Sequence, residues 1–218
     1  MRSRFLRALF VCAIVGVLSA VISAISISTS TSSEQNFDGM GVPATISTAS
    51  TLPVDFRADA LAGVRTVGTF AAAGTTVARA GGATLSSTAA NGIYNFGAGN
   101  TSLGGADRAI GFLSSGTATQ SGNLYAQLTN NSGTTLGSLQ ISYDVEKYRQ
   151  GINPSGFRIQ MFYSTDGTTW SPAGSAFLTS FPADTGANTG YAVAPGVTVK
   201  VNSTLTAQIR RNANFYLA

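Results

Sequence analysis

From Leu139 to Glu146 the chain alternates strictly between apolar and polar side chains. Leu139, Ile141, Tyr143 and Val145 fall on one side; Gln140, Ser142, Asp144 and Glu146 fall on the other. Successive side chains of a strand point to opposite faces, so this period of two specifies a half-buried β-strand and excludes an amphipathic helix. The same period recurs in Phe157, Ile159, Met161 and Tyr163, opposite Arg158, Gln160 and Phe162. It recurs again in Leu124, Ala126 and Leu128, in Val197, Val199 and Val201, and in Leu205, Ala207 and Ile209. Short strands separated by Gly, Asn, Asp and Ser clusters define an all-β chain, an antiparallel β-sandwich. The first eight of these apolar residues, Leu139 to Tyr163, are expected in one core.

Between the strands, Thr165-Asp166-Gly167 reads as a hairpin turn, because Asp and Gly accept the positive φ that tight hairpins need. Residues 71–91, rich in Ala, Gly, Ser and Thr, read as short edge strands and loops. One helical turn fits near Asp59 to Ala62. Asn214 to Ala218 reads as a strand with Phe215 and Leu217 on one face and Tyr216 on the other. It stops in mid-pattern, so the chain reads as a fragment of a longer sheet.

The first residues tell a different story. Arg2, Arg4 and Arg7 precede an uncharged apolar run from Ala8 to about Ile25, followed by small residues. Charge, length and flank fit a signal peptide spanning 1–24, which would form an N-terminal signal helix; an uncleaved membrane anchor is the alternative. Cleavage is expected between Val21 and Ile27, after Ala24. A Ser/Thr-rich spacer, 25–35, and a sandwich domain, 36–218, follow. Thirteen basic residues fall to ten against nine acidic ones once the leader arginines are set aside. The basic excess therefore belongs to the leader, and no nucleic-acid partner is expected. The expected location is secreted or at the cell surface, with membrane contact only through an uncleaved leader.

Composition closes several chemistries. The chain has no His, and its one Cys, Cys12, lies in the leader. Ser-His-Asp and Cys-His nucleophiles and His-ligated zinc are thereby excluded. Lys147 and Lys200 lack the Ser spacing of Ser-Lys hydrolases. Asp144 and Glu146 share a strand face, but a Glu-x-Asp-x-Glu pattern of retaining glucanases would need a carboxylate at Ser142. They read as a polar strand face, and no catalytic residue is assigned. Asn100, Asn130 and Asn202 head Asn-x-Ser/Thr sequences, which chance supplies in a chain of this composition.

Several segments together carry a resemblance: Asn36-Phe37-Asp38-Gly39-Met40-Gly41, Gly92-Ile93-Tyr94-Asn95-Phe96-Gly97, Asp107-Arg108-Ala109-Ile110-Gly111, Leu128-Thr129-Asn130-Asn131-Ser132-Gly133 and Tyr163-Ser164-Thr165-Asp166-Gly167. Over residues 36–218 the chain resembles a bacterial exported jelly-roll domain. Such domains occur in surface proteins with a PEP-CTERM-type sorting signal and ahead of extracellular nuclease-type domains. The resemblance implies a jelly-roll-like fold akin to carbohydrate-binding modules and a closing strand with paired Asp residues, which this sequence lacks. Asp38, on the first strand of such a fold, is the candidate ligand for a structural Ca²⁺; the alternative is a turn-stabilising Asp before Gly39. Thr165 to Trp170 is similar to the sialidase Asp-box but one residue short.

Two functions are consistent with these features. The first is a binding or adhesion module whose partner is a polysaccharide or another cell-surface component. Tyr125, Gln127, Arg158 and Gln160, on polar strand faces, are its candidate ligand-binding residues, because rings stack on sugars while amides and guanidinium bond hydroxyls. The second is a non-catalytic accessory domain of a longer secreted hydrolase of nuclease or phosphatase type.

Overall fold

A computed structural model describes residues 24–29, 32–64, 66–186 and 188–218. The leader expectation lies outside the described residues but for Ala24. The first eight strands are β1 (Ile25–Ile27), β2 (Ser50–Thr51), β3 (Phe56–Leu61), β4 (Thr76–Val77), β5 (Arg79–Gly81), β6 (Gly92–Gly97), β7 (Arg108–Leu113) and β8 (Ser121–Asn130). The other seven are β9 (Leu136–Lys147), β10 (Phe157–Gln160), β11 (Phe162–Ser164), β12 (Ser171–Pro172), β13 (Leu178–Phe181), β14 (Val197–Ile209) and β15 (Asn214–Leu217). Among the described residues the remaining regular structure is three 3-10 turns, and no helix is long and apolar enough to cross a membrane.

β8 is the spine of the largest sheet. β15 runs antiparallel along one of its edges; β3 and β1 share the other, β3 antiparallel and β1 parallel. β11 and β12 extend the sheet beyond β15. Facing it is a long ribbon of β9 and β14, in register from Val197 opposite Lys147 to Thr206 opposite Ser138, then shifted by a bulge before Ile209. Ile141, Val145, Val201, Leu205 and Ile209 of the ribbon bury themselves against Ile27, Leu128 and Phe215 of the sheet, with Phe177 and Phe181 completing this core. The ribbon's other face carries Thr198, Lys200, Asn202 and Thr204 opposite Glu146, Asp144, Ser142 and Gln140. That is the one-sided burial the alternation specifies. The result is an all-β, sandwich-like architecture.

The β5–β6–β7 sheet is separate and packs its Ile93 and Ile110 side toward β3 and β8. Ile93 and Ile110 meet Phe56, Ala58, Val77 and Leu124 there. On the opposite face of β6, Tyr94, Phe96 and Tyr148 stack at ring separations of 5.0 and 4.6 Å.

Four expectations change. Asp59 to Ala62 is not a helical turn: Asp59, Ala60 and Leu61 belong to β3, bonded to β8 along its whole length. Ile25–Ile27, expected in the spacer, pairs with Leu128 to Asn130, and Ile27 is buried. β-branched residues there join the sheet because β8 offers an open edge beyond the end of β3. The run from Phe157 to Tyr163 divides at Met161, β10 pairing with β13 and β11 with β12 and β15. Phe157 and Ile159 are consequently 37% and 39% exposed rather than buried. β10 is an edge strand, so its apolar face has the core on one side and solvent on the other; Phe157 gains cover only by stacking on Phe181 at 4.5 Å.

One ion pair ties the end of β9 to the loop after β13. Lys147 Nζ donates to Asp184, whose other carboxylate oxygen accepts the Gly186 N–H at 2.8 Å. Lys147, helped by the Gly186 and Gly151 amides, lowers the Asp184 carboxyl to about 2. A carboxylate held below its unfolded value stabilises the fold above that value and loses the effect as pH falls through the folded one. Stability should therefore drop between pH 4 and pH 2, and Asp184→Asn should flatten that part of the profile in urea unfolding series. An unchanged profile in the variant would remove Asp184 from the acid limb.

Candidate functional site

The hairpin between β11 and β12 is built by its own side chains. Asp166 Oδ1 accepts the backbone N–H of Thr169 at 2.7 Å and of Thr168 at 2.8 Å, and the Ser164 hydroxyl at 2.8 Å. These donors hold the Asp166 carboxyl far below the usual carboxylate range, with the Thr169 and Thr168 amides the leading causes. Gly167 follows at φ +72°, the left-handed conformation expected of the Asp-Gly pair. Its carbonyl accepts the Phe70 N–H, which fastens the loop of residues 66–73 to the hairpin.

Trp170 ends this turn. Its Nε1 donates to Gly68 O at 2.7 Å, and its ring centroid lies 5.5 Å from that of Tyr125. With the indole fixed in this way, Trp170, Phe162 and Val67 form the half-buried apolar part of an open groove of about 480 Å³, and exposed Thr66, Thr168 and Thr169 form its polar part. Rings beside hydroxyls are what a sugar needs, since a pyranose offers an apolar C–H face and a hydroxyl edge.

The residues singled out in the sequence are distributed otherwise. Tyr125 is 0% exposed and Gln127 is 7% exposed, because both faces of β8 are covered. The Tyr125 hydroxyl donates to Asp59 Oδ2 at 2.8 Å and accepts the Gly68 N–H at 2.8 Å. Burial, aided by the Asp59 carboxylate, pushes that hydroxyl well above its ordinary range. Tyr125 is thus a core residue under the loop that carries Trp170, and a sugar cannot reach it. Arg158 and Gln160 lie on β10, in another sheet from β8, with Gln160 Nε2 donating to the carbonyls of Met161 and Gly174. The four residues do not share a face. Phe162 is the one aromatic of the polar strand faces that reaches the groove; Tyr216 packs on Phe70 at 5.0 Å.

Asp38 sits in a 3-10 turn, Asp38–Met40, and not on a strand. Its Oδ1 accepts the Arg108 backbone N–H at 2.9 Å, so the residue closes a turn onto β7. Among the described residues no three Asp, Glu, His or Cys gather closely enough to hold a metal ion. Asp144 is exposed on the ribbon, whereas Glu146 is half-buried and accepts the Tyr148 hydroxyl at 3.0 Å. Burial pushes the Glu146 carboxyl up.

The groove was hidden from sequence because its parts come from residues 66–67, 162 and 168–170. A single usable sign was present: the chain's one Trp, three residues after the Asp166-Gly167 pair. No protein-family model, curated protein or solved structure matches the chain.

Proposed function

We propose that the protein is an exported, cell-surface or secreted binding module of jelly-roll-like kind, and that its ligand is a carbohydrate held at the Phe162–Trp170 groove. The observation that carries this reading is the pair of half-exposed rings set beside the hydroxyls of Thr168 and Thr169, on a hairpin whose geometry is fixed by Asp166, and of Thr66 from the neighbouring loop. A preorganised ring loses little freedom when a sugar stacks on it, so a shallow site can still bind. The basic, apolar leader supports export, and the sandwich with a groove on one flank supports binding.

A pull-down on a panel of soluble and insoluble polysaccharides tests it. The wild type should be retained on at least one glycan. Phe162→Ala and Trp170→Ala should each weaken retention about tenfold, a loss on the order of 1.4 kcal/mol. Thr168→Val, which leaves the backbone bonds of the turn in place, should weaken it less. Failure of every glycan to retain the wild type refutes the reading; equal retention of all three variants refutes the site.

A further inference from the structure

A second concavity shares no lining residue with the Trp170 groove. It has a volume of about 440 Å³ and is lined by Ser87, Asn91, Ser115, Thr117, Asn188 and Arg149, among others. Arg149 follows β9 and bridges to Gly190, which brings its side chain between two loops. Its Nη2 donates to the carbonyls of Ser87 and Asn188, each at 3.1 Å. Its Nε is buried without a hydrogen-bond partner. Among the described residues no carboxylate pairs with it, since the ion pair found there is Lys147 with Asp184.

A guanidinium between loop carbonyls, in a pocket of hydroxyls and amides and without an acidic partner, is short of negative charge. Holding two loops together uses Nη2 alone and leaves that shortage unmet. We infer that this pocket binds an oxyanion, with Arg149 as the charged contact and the Ser, Thr and Asn side chains around it as neutral ones. The shared ligand chemistry is a planar carboxylate or a tetrahedral sulfate or phosphate group. Each offers several oxygens to a fork of N–H donors, and a neutral sugar offers none with charge. This inference does not depend on the glycan groove.

The test is an NMR titration of the ¹⁵N-labelled protein with sodium sulfate, sodium phosphate and sodium glucuronate. Sodium chloride at matched ionic strength and glucose are the controls. Saturable shifts are expected at the amides of residues 87–91, 113–118 and 188 and at the Arg149 Nε–H. Arg149→Gln should weaken the affinity at least tenfold, and Arg149→Lys, which keeps the charge but not the fork, by several fold. Response to sulfate and phosphate alone identifies an ester-type oxyanion; response to glucuronate identifies an acidic sugar. The inference is overturned if no anion produces saturation beyond matched chloride, or if the shifts map elsewhere. It is overturned equally if Arg149→Gln responds as the wild type does. The wild-type shift map decides the matter even if that variant fails to fold.

Discussion

Replacing Tyr125 by Ala should cost about 3–5 kcal/mol of stability, the range for deleting a large aromatic from a closed core. Tyr125 has no exposed surface, and its ring contacts those of Phe70 and Trp170 at 6.4 and 5.5 Å. Tyr125→Phe keeps the packing and separates off the polar part. It leaves Asp59 Oδ2 and the Gly68 N–H without a partner, at about 1–3 kcal/mol. Urea unfolding followed by the fluorescence of Trp170, the chain's single Trp, reports both, since that indole rests on the same cluster. The midpoint should fall in the order wild type, Phe, Ala, with little change in slope. An Ala variant within 1 kcal/mol of wild type, on the order of an ordinary surface change, would mean the ring is not enclosed.

The second large effect is expected at Arg108, which is 3% exposed. Its Nε donates to Asn95 Oδ1 and its Nη2 to Asn95 O, both at 2.7 Å. Its Nη1 donates to Leu103 O and Gly105 O at 2.8 and 2.9 Å. The guanidinium thus holds β6 and the loop before β7 together through neutral acceptors. Gly104, at φ +73°, makes the close approach feasible, because a Cβ there would meet the Gly97 carbonyl at 2.0 Å. Arg108→Met fills much of the volume but strands these acceptors, so a loss of about 3–5 kcal/mol is expected. Arg108→Lys should recover only part, since one ammonium cannot span acceptors placed for a planar fork. Thermal unfolding measures both variants. A methionine variant as stable as the wild type would show that water can take over the acceptors.

Sequence periodicity described the ribbon well because β9 and β14 each bury one face. It failed on β8 for a definite reason. Leu124, Ala126 and Leu128 do face the apolar layer, but Gln127 is buried too, and Tyr125 is covered by a loop drawn from residues 66–73 and a hairpin beyond residue 164. Alternation reports side-chain polarity; it cannot report what a distant loop later lays over the polar face. The Asp166-Gly167 turn was legible because its bonds are local. The Trp170 groove and the Arg149 pocket were not, since each joins loops that only the tertiary fold brings together. Arg108 stands in the sequence only as part of the Asp107 to Gly111 segment that carries the resemblance, and nothing near it in sequence marks it as a buried cation.

The central position of β8 also governs how the molecule is made. Leu128 is paired with Ile25 on one edge and with Phe215 on the other. The two flanks of one strand therefore come from opposite ends of the chain. Ring closures of that length must precede the contacts that reward them, which places such a topology among slow folders, in roughly the millisecond-to-second range. Neither half can complete the main core alone, because that core closes only when Ile25, Leu128 and Phe215 have met. For a protein proposed to cross a membrane, a core that closes late is compatible with translocation, which requires an unfolded chain.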